Sequence, residues 1–274
     1  MSDSALALRQ VRFTNKAFWR NPASAFFTFA FPLMFLIIFT SLLGNDSTTF
    51  GNATITNATY YVFAMAAFGV ITACYTNIAM SVSFQRDAGV LKRTRGTPLP
   101  AWAYLFGRVV HAMLVAALLV IITLVFGKIF YSSALPTGRP LAEFVLTFVV
   151  GALTFSALGL AMTSVVPNAD AAPPIVNASI LPLLFLSGIF IPLGDDAPAW
   201  VRTVGTVFPV KHFIDAMRAS YLGNLRICAP PTTSPRCLSV PAFHFHWIDL
   251  VVIAVWGFAG LVLASRFFSW EPRR

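Results

Sequence analysis

The residues able to do chemistry in this 274-residue chain are few and stand apart. It carries 10 Asp and Glu, 4 His and 3 Cys beside 19 Lys and Arg. His244 and His246 flank Phe245 ahead of Trp247. A metal ion needs more ligands than two imidazoles, and no clear set is nearby, so the pair reads as part of an aromatic belt at a membrane surface and no metal is expected. Cys228 and Cys237 share a stretch holding Pro230, Pro231 and Pro235. In an oxidising outer compartment they form a disulfide; two free thiols are the alternative. Cys74 and His111 read as packing residues. Asp215 and Arg218, three apart on one helical face, can pair as scaffolding. None of these sets is an arrangement for catalysis. No GxxxxGK[ST] occurs, so the chain has no phosphate-cradling loop of its own, and no cofactor is expected on it. What is concentrated is positive charge: Arg86, Lys92, Arg93, Arg95 and Arg108 crowd the segment 84–108 with only Asp87 against them. That chemistry is electrostatic docking and orientation, not bond-making.

The elements that must position these groups are apolar. The chain is 57% hydrophobic and 11% charged, with a formal net charge of +9 and a mean hydropathy of +0.76. A soluble domain would carry roughly a quarter charged residues. The composition predicts an all-helical integral membrane protein of one domain, residues 1–274. It leaves no room for the basic face with interleaved aromatics that nucleic-acid binding requires. Apolar runs near the roughly 20 residues that cross a bilayer predict six spans, at about 23–44, 60–84, 101–126, 141–166, 175–191 and 247–268. The first is too long for a signal-peptide core and is followed by no A-x-A site. Gly151, Ala152, Ser156, Ala157, Gly159 and Ala161 allow the fourth span close helix packing.

Ahead of the first span, residues 4–21 predict an interfacial helix. Arg9, Arg12, Lys16 and Arg20 form one stripe, with Ala7, Leu8, Val11, Phe18 and Trp19 on the other side. Most Lys and Arg fall on the side that this helix and the segment 84–108 share, which places both termini in the cytoplasm of a plasma-membrane, multi-pass protein. The outer loops hold the polar, Thr- and Asn-rich residues 45–59 and the segment 128–139. Between the fifth and sixth spans, residues 196–222 are neither apolar enough to span nor polar enough for a free loop. They predict a re-entrant helix pair on the outer side, divided at Pro209, with Asp195 and Asp196 as caps before Trp200.

Residues 84–97 predict one short cytoplasmic helix stopped by Thr97-Pro98-Leu99-Pro100. The string Arg86-Asp87-Ala88-Gly89-Val90-Leu91-Lys92-Arg93, followed by Thr97-Pro98-Leu99-Pro100 and Trp102, resembles the segment after the second span of ATP-binding-cassette type 2 export permeases. Asp87 stands where that family commonly has Glu. A second resemblance to the same family runs from Leu183-Leu184-Phe185-Leu186-Ser187-Gly188 through Pro192, Trp200 and Phe208-Pro209 to Asp215 and Arg218, with Phe208 where Asn is frequent. The two stretches cover about a third of the chain.

The resemblance implies that Arg86, Asp87, Gly89, Leu91, Lys92, Arg93 and Arg95 belong to a coupling helix seated on a separate cytoplasmic ATPase subunit, which holds the ATP and magnesium. It implies that Ser187, Gly188, Pro192, Trp200, Pro209, Asp215 and Arg218 form an outer gate, and that the chain is half of a homodimer or of a heterodimer with a second permease. The central parts of the spans lack Asp, Glu, Lys and Arg, which argues against a proton- or ion-coupled transporter and a membrane-embedded enzyme. A substrate route lined by Phe29, Phe35, Thr76, Asn77, Asn177, Ser179 and Phe185, with Phe26 and Phe31, would be aromatic and uncharged. The expectation is a non-enzymatic export subunit for hydrophobic or amphipathic compounds such as a drug, antibiotic or lipid. Export of lipid-linked cell-surface polysaccharide is the alternative. The N-terminal helix docks on lipid or on the ATPase.

Overall fold

The computed structural model describes residues 3–43, 47–50, 53–191, 198–229, 238–241 and 244–271. Asp3–Trp19 (α1) turns at Asn21 into Pro22–Leu43 (α2). The Asn21 carboxamide accepts from the Ser24 N–H at 3.2 Å, an N-cap ahead of a helix that begins on proline. Two short strands, Ser47–Phe50 (β1) and Ala53–Thr56 (β2), pair antiparallel with Ser47 opposite Thr56. The β-branched Thr and Ile of this polar stretch favour the extended ribbon over the plain loop expected.

The second span is one long helical column: Asn57–Ile71 (α3), a π-helical turn at Thr72–Thr76, and Asn77–Asp87 (α4). It is the centre of the bundle, and almost every residue from Asn57 to Ile71 is buried. The least apolar of the long helices is therefore the one most deeply buried in the bundle. Gly89, with φ of 69°, breaks the column, and Val90–Arg95 (α5) follows as a separate six-residue helix. The single helix expected over 84–97 is thus two pieces, because Gly89 adopts the left-handed backbone that ends a helix cheaply.

Ala101–Tyr131 (α6) and Arg139–Met162 (α7) form the third and fourth spans. The fifth, Ala172–Leu186 (α8), has only 15 helical residues. At about 1.5 Å per residue it is shorter than the roughly 30 Å hydrocarbon layer. Among the described residues, five helices are long and apolar enough to cross a membrane. The expected fifth span is a shorter helix continued by non-helical chain at 187–191, where Ile189 and Phe190 are buried. Irregular backbone at such depth is tolerated where protein covers it. Where a re-entrant pair is expected, two short helices stand, Ala199–Val207 (α9) and Pro209–Tyr221 (α10). They divide at Phe208, held extended at φ −96° and ψ 150° by the proline after it. Asp195 and Asp196 lie outside the described residues, and α9 starts behind Pro198. Arg226–Ala229 (β3) and Leu238–Pro241 (β4) make a second ribbon before Trp247–Phe267 (α11).

The central column packs on α2, α6, α7 and α10, and α11 closes the far side against α7 and α10. The small residues of α7 make these contacts close. A Cβ on Gly159 would lie 2.7 Å from the Tyr75 carbonyl oxygen in the π turn, and one on Gly151 would overlap the Phe213 ring. On the other side the Thr154 hydroxyl donates to the Ile253 carbonyl at 3.0 Å. Helix α1 lies along α6 and meets it through Ala7, Gln10, Thr14 and Phe18. Leu8 and Trp19, expected on that face, are exposed beside Arg9, Arg12 and Lys16.

Candidate transport and coupling site

The coupling segment has a buried root and an exposed tip. Arg86 is 1% exposed; its guanidinium donates to the carbonyl of Thr163 at 2.6 Å and to those of Val166 and Pro167. These are carbonyls at and beyond the C-terminal end of α7, whose partial negative charge suits a cation. Asp87 accepts from the Ala169 backbone N–H at 3.2 Å. Both residues fasten the foot of the central column to the turn joining α7 and α8, so Arg86, expected among the docking residues, points into the protein. Beyond Gly89, Leu91 is fully buried and anchors α5, while Lys92, Arg93 and Arg95 are exposed. Thr97 closes the segment by donating to the Thr94 carbonyl at 2.6 Å.

The residues expected along a substrate route do not share one place. Thr76 and Asn77 line a groove of about 490 Å³ between α2 and α4, with Phe31, Pro32, Met80 and Phe84. Ser179 belongs to a second cleft of about 350 Å³ among the π turn, α7, α8, α10 and α11, where its hydroxyl meets that of Tyr75 at 2.7 Å. Phe35 joins an aromatic cluster with Phe39, Phe68 and Phe190, and Phe185 abuts Phe190 with ring centroids 5.0 Å apart. Phe29 is not on either cleft. It stacks on Trp19 at 5.8 Å and packs α1 against α2. Asn177 is half-buried and lines neither.

At the opposite end the chain after α8 is clamped to the central column. Tyr60 donates to the Gly188 carbonyl, and Tyr61 to that of Phe190 at 3.0 Å. Gly188 has φ of 84°, the conformation that turns the chain there. The Ser187 hydroxyl closes the end of α8 on the Leu184 carbonyl at 2.8 Å. Gly205 lets α9 approach the Leu186 carbonyl, and Pro209 is buried at the head of α10. Trp200 is 63% exposed, on the surface of α9. Asp215 and Arg218 do pair, at 2.9 Å, and Lys211 meets the other oxygen of Asp215 at 2.7 Å. Pro192 and Cys237 lie outside the described residues, and with them the expected disulfide.

Sequence reasoning missed Tyr60, Tyr61 and His212. The His212 ring bridges Asp249 at 2.6 Å and the Thr206 carbonyl at 2.9 Å, joining α9, α10 and α11. The Trp256 indole donates to the Val207 carbonyl at 2.9 Å and stacks on Phe208. Only the adjacent tyrosines at the start of a span offered a signal, since aromatic hydroxyls in lipid surroundings need partners.

Comparison with known proteins agrees with this architecture. The sequence model described as "ABC-2 type transporter" matches residues 7–222. Over 144 residues the chain is 28% identical to "Probable multidrug ABC transporter permease YbhR" of Escherichia coli (strain K12), covering 53% of this chain and 38% of that protein. Over 72 residues it is 33% identical to "Nodulation protein J" of Rhizobium leguminosarum bv. viciae, covering 26% of this chain and 27% of that one. The chain thus spans well under two thirds of these relatives' length. With the family match over most of its residues, on a multi-pass helical bundle, the chain belongs to the ABC-2 type transporter family.

Proposed function

We propose that this chain is the membrane subunit of an ATP-driven exporter of hydrophobic or amphipathic compounds, energised by a separate ATP-binding-cassette ATPase that binds ATP and magnesium and docks on α5. The observation that carries this reading is the division of labour around Gly89. An exposed basic tip of Lys92, Arg93 and Arg95 continues directly into a root locked by Arg86 and Asp87 to the α7–α8 turn. Force applied at α5 by a docked partner reaches two spans at once. The apolar groove between α2 and α4, softened by Thr76 and Asn77, offers an uncharged cargo a path, and similarity to a permease whose name carries "multidrug" supports that class. Exposed Phe26, Phe27, Phe31 and Ile38 on α2 suit a second permease copy or a related chain across a dimer interface. In this reading α1, α5 and both termini are cytoplasmic.

The test is gentle purification of the tagged chain with mass spectrometry of what accompanies it, followed by reconstitution. ATP-dependent extrusion of an amphipathic dye from proteoliposomes holding chain and ATPase is the expected result. Flux driven by a proton or sodium gradient without ATPase would sink the proposal.

A further inference from the structure

A polar cavity of about 210 Å³ lies where α1, α4 and α6 meet, on the α5 side of the bundle. Arg108 and His111 line it from α6, Gln85 and Asn77 from α4, and Asn21 from the α1–α2 corner. Arg108 is 9% exposed, and among the described residues no carboxylate pairs with it. Its Nε donates to the Tyr104 hydroxyl at 3.3 Å, and its guanidinium lies 5.4 Å from the centre of that ring. His111, one turn on, is 6% exposed and its Nδ1 has no hydrogen-bond partner. No acidic side chain lines the cavity. A buried cation without a counter-charge is costly in a low-dielectric setting, and the buried His111 Nδ1 left without a partner adds to that cost. An anion entering here relieves both. The space is many times the roughly 10–15 Å³ that one water needs on the same measure, enough for a phosphate group.

The cavity does not stand alone. Asn21, Ser24, Asn77 and Ser81 line both it and the larger groove between α2 and α4, so the two share a wall. Beyond that wall the groove is apolar, with Phe27, Phe31, Pro32 and Met80. A cationic chamber adjoining an apolar groove matches a molecule with an anionic head and hydrocarbon tails. We propose that the Arg108–His111 cavity binds the phosphate of an anionic lipid, whose acyl chains lie in the groove between α2 and α4. The guanidinium meets phosphate oxygens by charge-assisted hydrogen bonds, and the imidazole supplies a further donor. The site holds whether or not the groove also carries cargo.

The experiment uses the full chain purified in a neutral detergent and exposed to phosphatidylglycerol, to phosphatidylcholine of identical chains, or to inorganic phosphate, with bound lipid counted by native mass spectrometry. Phosphatidylglycerol should be retained over phosphatidylcholine by about tenfold, the factor expected of a charge-assisted contact. Arg108→Gln should abolish that preference, and Arg12→Gln, on the exposed face of α1, should keep it. Ser24→Leu, which fills the shared wall without touching Arg108, provides the second variant should Arg108→Gln fail to fold; it should lose lipid selectivity too. Equal retention of the two lipids, or unchanged selectivity in Ser24→Leu and Arg108→Gln, would overturn the proposal. So would displacement of lipid by equimolar inorganic phosphate, because the cavity would then take the free anion.

Discussion

The guanidinium of Arg86 donates to the carbonyl oxygen of Thr163 at 2.6 Å, across 77 positions of sequence, and this contact makes the foot of the second span and the end of the fourth one mechanical piece. Neighbouring Asp87 extends the piece to Ala169. A basic residue in a basic run thereby acts as a structural rivet, while its neighbours beyond Gly89 remain free for a partner.

Arg86→Ala should therefore destabilise the folded protein, since it strips the donor from several buried carbonyls at about 1–3 kcal/mol for each left unsatisfied. Arg93→Ala should leave stability unchanged and weaken association with the ATPase. Thermal unfolding of the purified variants, beside pull-down of the partner, separates the two; equal unfolding temperatures for Arg86→Ala and wild type would refute the rivet.

Exchanging Asp87 and Arg93 together for alanine should uncouple ATP hydrolysis from efflux while the protein still reaches the membrane. Normal dye efflux from cells making the double variant would remove the coupling role.

Tyr60→Phe should loosen the clamp on Gly188 at a cost of about 1 kcal/mol, the net worth of an ordinary hydrogen bond. A cysteine placed at Ile189, which is buried, should react faster with a water-soluble maleimide when Tyr60 is phenylalanine. An unchanged labelling rate argues that the clamp is not what closes this end.

At Gly159 even one added carbon meets backbone, the Tyr75 carbonyl at 2.7 Å. Gly159→Ala should cost about 1–3 kcal/mol by overpacking, an unusual loss for so small a change. The unfolding temperature of that variant is the check, and one equal to wild type would mean that the column and α7 are not closely seated.

Asn77→Leu, in the groove, should alter which dyes are exported; Asn177→Leu, outside both clefts, should not. Competition assays with several dyes distinguish them, and the reverse pattern would redraw the route.

Much of the frame was legible because it is written locally. Apolar runs marked the long helices, Pro209 marked the division between α9 and α10, and the i, i+3 spacing of Asp215 and Arg218 gave a pair that forms. What was not legible depends on partners far away in sequence. Nothing near Arg86 announces that the end of a helix some 80 residues later will swallow it. Phe29 and Phe35 belong to the same apolar run, yet one packs the N-terminal corner and the other the aromatic cluster. The β ribbons and the shortened α8 likewise turn on pairing and coverage that hydropathy does not encode.

The π turn at Thr72–Thr76 gives the central column an extra residue relative to regular α-helix. Relaxing that surplus would turn everything below it by about 100°, one residue's share of a 3.6-residue turn. Asn77 in the groove and Arg86 on the Thr163 carbonyl ride on the lower half; Tyr60 and Tyr61 hold the upper half to the chain after α8. The column is thus a two-part shaft whose register changes at its middle, with its head fixed to the chain after α8 and its foot to the turn between α7 and α8.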